Sequence, residues 1–373
     1  MAANNNPILG YHRVATPHVI KKSFRSTVEA NELLVKIYKA GKMQALSGTE
    51  VRIPFINARH SNASPIDAST GWTSNTKFAP IYTTGRLDWS QYSAPAVIIQ
   101  EDEWRSQDPS DYTTQVNETH ALVVSLLMRD IMSHITLGQV NNGSAQFNQF
   151  SRIGTLNGTK TNLTSVGLTE GALKRTAIAS QNTSYLGRTR NYDTVDGVNN
   201  WFSHYSQHSG VGVDFFKFVE KTKLLAKYFS NPGGLAKPSK GITTGLCPLS
   251  MLTSISEAAR LYPGTGNSMV VLTPAELKNG EAFPTTYTIQ GVEYVGDYMW
   301  DLHGASAGLD PADEPCYLLD PAALAFWLQK GHDFNVGPMN DMSPMGQYLY
   351  VSFVFIAMQF AVVNPMACGL LTK

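Results

Sequence analysis

The segment from Glu50 to Gln100 constrains this chain most, because two strand-like runs there enclose a long polar tip that has little apolar surface of its own to pack on. Val51, Ile53 and Phe55 alternate with Glu50, Arg52 and Pro54. On the return, Leu87 and Trp89 alternate with Arg86, Asp88 and Ser90, the period-two pattern of strands. The run between them, residues 57–77, is mostly Ser, Asn, Thr, Asp and Gly. A two-stranded hairpin alone is marginal in water, and structureless loops beyond about fifteen residues are uncommon unless they serve a function. The segment is therefore either a projecting hairpin supported by other chains or a disordered surface loop.

With 373 residues the chain can bury a large core and is expected to fold as two or three units. Lys plus Arg equal Asp plus Glu at 29 each, so no net field holds nucleic acid or an anionic bilayer by bulk charge. Charged residues are only 16% of the chain, against about 25% in typical soluble domains, which suggests that partners cover much of the surface. The start, Met1 to Pro7, lacks the basic and apolar regions of a signal peptide, and a cytoplasmic location is expected. Cys247, Cys316 and Cys368 form no CxxC pair, so buried, reduced thiols are expected rather than a disulfide framework or a zinc cluster. Tyr348 to Val363 is almost wholly apolar, but it is short for a membrane helix and rich in β-branched and aromatic residues. It reads as a long strand buried on both faces.

Along the chain, the first 25 residues have no periodicity and suit an extended arm. A helix follows: Ser26 and Glu29 have capping-box spacing, Ala30, Leu33, Leu34, Ile37 and Tyr38 make one stripe, and Gly41 stands where a helix stops. A second helix is predicted from Pro109, capped by Asp108, to about Leu137, with Val116, Val123, Val124, Leu127, Ile131 and Ile135 at helical spacing. Short strand-like pieces such as Arg152 to Leu156 lie in a Gly-, Thr- and Asn-rich stretch, and Phe215 to Phe229 has helical spacing. Two later units share a design. Met269 to Leu272 is a short strand feeding a helix start at Thr273-Pro274, and Cys316 to Leu319 feeds Asp320-Pro321 and a helix over Ala322 to Lys330. Between them, Tyr287 to Tyr298 alternates as strand with Gly291 as its turn. The predicted class is mixed α and β.

Few motifs carry chemistry. Gly304 to Gly308 matches the Gly-x-Ser-x-Gly elbow around Ser306, beside His303, but Leu309 to Pro315 cannot supply the helix that an elbow needs, so a small-residue loop is expected. His204 and His208 are four apart, yet no zincin glutamate accompanies them and their Ser-Gln-Ser context favours no helix, so surface histidines are expected. Neither a P-loop nor a strand-borne Gly-x-Gly-x-x-Gly occurs. Lys77 near the hairpin tip is either an ordinary solvated lysine or a donor to an inter-chain bond.

In order, the chain has a polar arm, a capped helix, a hairpin with Trp72 and Arg86-Leu87-Asp88-Trp89, one long helix, strand-turn-helix units and a long apolar strand. This order resembles the major capsid proteins of tailed bacteriophages, which share the Johnson fold of the Hong Kong 97 type. The likeness is most specific at Gly85 to Ile99, at Met269 to Leu277 with Ile289 to Val295, and at Tyr317 to Pro321. It implies an α+β fold with an N-terminal arm and helix (1–48), an extended loop (49–101), a peripheral domain with spine helix (102–210), an axial domain (211–311) and a peripheral C-terminal strand (312–373). It also implies a structural, non-enzymatic chain without cofactor or metal, forming pentamers and hexamers of an icosahedral virion shell assembled in the bacterial cytoplasm. Packaged double-stranded DNA would touch the shell only weakly. Scaffold, portal and decoration proteins are implied partners, and a fused scaffolding segment is not evident before residue 26. Arg59, Trp72, Lys77, Arg86 and Trp89 are then candidates for contacts between subunits. Two alternatives remain: an encapsulin-like cellular shell of the same fold, and a serine hydrolase using Ser306.

Overall fold

The computed structural model of the chain describes residues 32–56, 82–99, 109–137, 184–185, 188–189, 203–212, 214–229, 241–261, 286–305, 310–332, 335–342, 345 and 348–373. Expectations that fall elsewhere lie outside the described residues: the arm, the Ser26 cap, Ala30, the hairpin tip, Arg152 to Leu156, and the unit beginning at Met269.

The first helix, α1 (Glu32–Lys39), buries Leu33, Leu34 and Ile37 and stops before Gly41, whose φ of +68° suits glycine. Tyr38, expected on the same stripe, is instead 65% exposed. Strand β1 (Met43–Leu46) follows, then β2 (Glu50–Ile56) and β3 (Tyr82–Asp88), which pair antiparallel from Glu50↔Asp88 to Ile56↔Tyr82. The hairpin base is not starved of partners: Val51, Ile53, Leu87 and Trp89 are buried in the main core of their own chain. Strand β4 (Ser90–Ile99), read from sequence as the continuation of that loop, leaves the hairpin and joins another sheet.

Helix α2 (Pro109–Thr136) matches its expected span, and its 28 residues extend about 42 Å at 1.5 Å per residue. Val116, Val124, Leu127, Ile131 and Ile135 are buried, and Val123 is partly so. Next come the short β5 (Ser184–Tyr185) and β6 (Arg188–Thr189), then β7 (His204–Gln207) and α3 (Phe215–Phe229). Strand β8 (Thr244–Pro248) runs directly into α4 (Leu249–Leu261). Strands β9 (Thr286–Ile289) and β10 (Val292–Asp297) form the expected hairpin through Gln290 and Gly291, with φ of 52° and 71°, the doubly left-handed turn that suits two-residue hairpins.

After the short α5 (Tyr298–His303), β11 (Cys316–Leu319) leads to Asp320, whose carboxylate accepts from Ala322 N at 3.0 Å. The cap and proline act as predicted, but the helix expected over Ala322 to Lys330 is a correction: a single 3-10 turn, Pro321–Ala323, gives way to β12 (Leu324–Gln329). Local preference for helix in Ala322 to Ala325 is overruled because β12 lies between two strands, parallel to β1 and antiparallel to the long strand Leu349–Val362. Strands β13 (Asn335–Val336) and β14 (Asn340–Asp341) precede the long β15 (Leu349–Val362), and β16 (Gly369–Thr372) ends the chain.

Two six-stranded sheets result. The first has the order β1-β12-β15, with β13 and β14 continuing along the same side of β15 as β12, and β4 on its other side. The second has the order β7-β16-β11-β8-β10-β9. One face of the second sheet, carrying Cys247, Tyr294, Cys316 and Leu318, packs against α3 and α4. Its other face, with Leu246, Val295, Tyr317 and Leu319, shares the main core with α1, α2 and the first sheet. The fold class is α+β, as the sequence implied. The second sheet draws β7 and β11 from just beyond the 211–311 segment and β16 from far outside it.

Candidate inter-subunit surface

Strands β4 and β15 pair over ten positions, from Leu349↔Ile99 to Met358↔Ser90, and the two faces of this ribbon differ. Inward, Tyr350, Ser352, Val354 and Ile356 alternate with their partners Ile98, Ala96, Ala94 and Tyr92 against α2 and the core. Two histidines of α2 tie the layers together. His120 Nδ1 lies 2.7 Å from Val116 O and must donate to that carbonyl, while its Nε2 lies 2.7 Å from Ser352 Oγ. His134 Nδ1 is 3.1 Å from the Tyr92 hydroxyl, and burial lowers the pKa of this imidazole and pushes that of the Tyr92 phenol up.

Outward, the same ribbon presents apolar side chains to solvent. Phe353 and Phe355 are 39% and 44% exposed, with ring centroids 6.0 Å apart. Val97 and Ile99, opposite Val351 and Leu349, are 46% and 48% exposed, and Pro95 lies opposite Phe353. The expectation that Tyr348 to Val363 is buried on both faces is therefore corrected. It holds from Ile356 to Val362 and fails before that, where every second side chain is open or half-open. Among the described residues β4 pairs only with β15, so its outer edge also lies open. A contiguous apolar face beside a free strand edge is the surface that marks a protein–protein contact.

The candidates named from sequence fare differently. Arg59, Trp72 and Lys77 lie outside the described residues. Arg86 pairs with Arg52 in the hairpin register, and its side chain is likewise outside them. Trp89 is a correction: it is buried, and its Nε1 donates to Gly48 O at 2.8 Å, so its ring and its donor are both satisfied within the chain. Gln359 Nε2 donates to Asp88 O at 2.6 Å, and these bonds anchor the hairpin base. The sequence reading missed Val97, Ile99, Phe353 and Phe355. Hydropathy could not find them, because both faces of the ribbon are apolar, but Pro95 within a strand is a mark of an edge.

The histidine pair is also corrected. His204 and His208 are buried, not on the surface. His204 Nε2 donates to Met366 O at 3.0 Å, and burial lowers its pKa to about 4. His208 Nε2 donates to Glu314 O at 3.3 Å, and burial lowers its pKa too. With a ring nitrogen of each committed to a carbonyl, the pair is structural. Among the described residues no group of His, Cys, Asp and Glu could hold a metal. The three cysteines are free and buried, and burial pushes Cys368 up to about 12. Gly304 follows helix α5 rather than a strand, the opposite of an elbow, and Ser306 lies outside the described residues. No helix among the described residues is long and apolar enough to cross a membrane.

No family model matches the chain, and no curated protein matches it. Solved structures do. The capsid asymmetric unit of cyanophage A-1(L) is 11% identical over 88% of this chain and 89% of that one, with a TM-score of 0.49. The encapsulin complex of Synechococcus elongatus is 10% identical over 90% and 86%, with a TM-score of 0.49. A structure of Mycobacterium phage Adephagia is 8% identical over 90% and 89%, also with a TM-score of 0.49. In the course of its backbone, the chain is thus similar to subunits of phage capsids and of an encapsulin shell.

Proposed function

We propose that this chain is a shell-forming structural protein, the major capsid protein of a tailed bacteriophage with the Johnson-type fold, assembling as pentamers and hexamers around double-stranded DNA. The observation that supports it best is the open apolar face of β4 and β15, where Phe353, Phe355, Val97 and Ile99 are exposed on a ribbon whose other side packs on α2 and the core. A subunit that covers such a face with a different patch of its copy makes head-to-tail contacts, and these form rings when the rotation between copies closes. On this reading the first sheet with α2 would be the peripheral platform, and β8 to β10 with α3 and α4 the axial domain. The hairpin, anchored at its base, would reach a neighbouring copy. The work is mechanical, resisting the packaged genome without catalysis, with scaffold, portal and decoration proteins as partners in a virion built in the host cytoplasm.

The test is negative-stain microscopy of the purified full chain, with its scaffold if it has one. Closed shells or rings of five and six are expected, and a strictly monomeric species at high concentration contradicts the reading. Particles from the native source should contain nuclease-protected duplex DNA. A protein cargo in its place would point to an encapsulin-like shell.

A further inference from the structure

The three cysteines are not alike. Cys368 belongs to the main core, whereas Cys247 and Cys316 share the core that the second sheet forms with α3 and α4. Cys247 lies on β8 and Cys316 on β11, and these strands are antiparallel neighbours. Their register pairs Leu319 with Thr244, Leu318 with Gly245 and Tyr317 with Leu246, so its next step sets Cys316 opposite Cys247. Both side chains point to the face that carries Tyr294, and both are fully buried. Burial, then Cys316 and Cys247 in turn, raise the pKa of the Tyr294 phenol, while burial and then Cys247 raise that of the Cys316 thiol. The two sulfurs are thus neighbours of each other and of one phenol.

This placement suits a covalent link. Residues directly opposite in an antiparallel pair have Cα atoms about 4.5–5.5 Å apart, inside the range of about 4.4–6.8 Å that a disulfide spans. Their Cβ atoms stand about 4.5–5.5 Å apart, against about 3.5–4.5 Å in a disulfide, so the strands need to draw together by about 1 Å. Both thiols are free in the structure, and burial accounts for that. The thiolate is the nucleophile, and burial holds both thiols well above their usual range. Reaction therefore waits on an opening of the sheet, and the pair stays reduced wherever oxidant is scarce.

We propose that Cys247 and Cys316 are a latent cross-strand disulfide, closed by a hydroperoxide, that staples β8 to β11 when the chain leaves a reducing environment. One thiolate attacks the peroxide O–O bond, giving a sulfenic acid and a hydroxide, and the hydroxide takes up the proton that this thiol released. The second thiol then displaces the sulfenic oxygen as water, and the S–S bond forms. In sum, two thiols and one hydrogen peroxide give one disulfide and two waters, with two electrons passing from the sulfurs to the peroxide oxygens. The bond encloses α4, the β9–β10 hairpin and α5 in one covalent loop. The inference goes beyond the shell reading and does not depend on it.

The test is overnight treatment of the purified full chain with hydrogen peroxide, followed by alkylation in denaturant, a thiol count and peptide mapping without reductant. Free thiols should fall from three to one, with Cys247 joined to Cys316, Cys368 left free, and dithiothreitol restoring all three. The oxidised chain should unfold about 2–5 °C higher than the reduced chain. Cys316→Ala should lose both the cross-linked peptide and this shift. Three free thiols after treatment overturn the proposal. So do bonds to Cys368, or sulfinic acids at Cys247 and Cys316 in place of the bond. A bond that leaves unfolding unchanged, or brings it to a lower temperature, overturns the staple as well.

Discussion

The two halves of β15 are alike in composition and opposite in circumstance. Leu349 to Phe355 packs on α2 by one face only and leaves Phe353 and Phe355 partly in water, whereas Ile356 to Val362 is buried on both faces, with β12 paired along one edge. Hydropathy cannot separate these halves, because both are strings of large apolar residues. What separates them is how many layers the rest of the chain supplies. The covered half holds the subunit together, and on the proposed reading the open half is left for a copy. The same division runs through β4, where Ile98 is inside and its neighbours Val97 and Ile99 are outside.

The largest effect is expected from Phe360→Ala in the covered half. Phe360 is fully buried, so the cavity should cost about 3–5 kcal/mol in a denaturant melt of the subunit. A loss below about 1 kcal/mol would erase the distinction between the halves.

Next comes acid sensitivity at the end that β15 leads into. His204 has a folded pKa lowered from 6.5 to about 4, so the folded state disfavours its charged form. Stability is therefore complete above about pH 6.5 and is lost as pH falls toward 4, by roughly 3 kcal/mol for a shift of this size. Melts of His204→Gln should show a shallower fall over that window, and an identical fall would mean that other groups carry the acid response.

A smaller loss is expected from His120→Ala, which strips Ser352 of its partner at the inner face of the open half. About 1–3 kcal/mol should be lost, with the outer face untouched, so the weakened subunit should still assemble once folded. Failure to assemble despite a folded subunit would show that the α2 contact shapes the outer face.

Much of this arrangement was legible in the sequence, and the exceptions share a cause. Helix α2 was readable because Pro109 suits a first helical position and its stripe continues to Ile135. The β9–β10 hairpin was readable because only Gly291 suits its turn. Those signals are local. β12 was misread because Ala322 to Ala325 prefer helix locally, while pairing with β1 and β15 decides the outcome. His204 and His208 were misread because Ser and Gln neighbours suggest a surface, while β16 and Glu314 cover them from more than a hundred residues away. Trp89 was misread because a hairpin's own sequence does not show that its base enters the core. The open face was invisible for the same reason: exposure is a property of the layers around a strand, not of the strand.

The smallest effect on the fold should be the largest on assembly, and it tests the central claim most directly. In Phe353→Asp/Phe355→Asp, charges replace rings that water already reaches, so the subunit should lose under about 1 kcal/mol. Light scattering and negative-stain microscopy of this variant beside the wild type, at equal concentration and with the same scaffold, should show wild-type shells or rings and a folded variant that stays unassembled. Shells from the variant in wild-type yield and size would contradict the account.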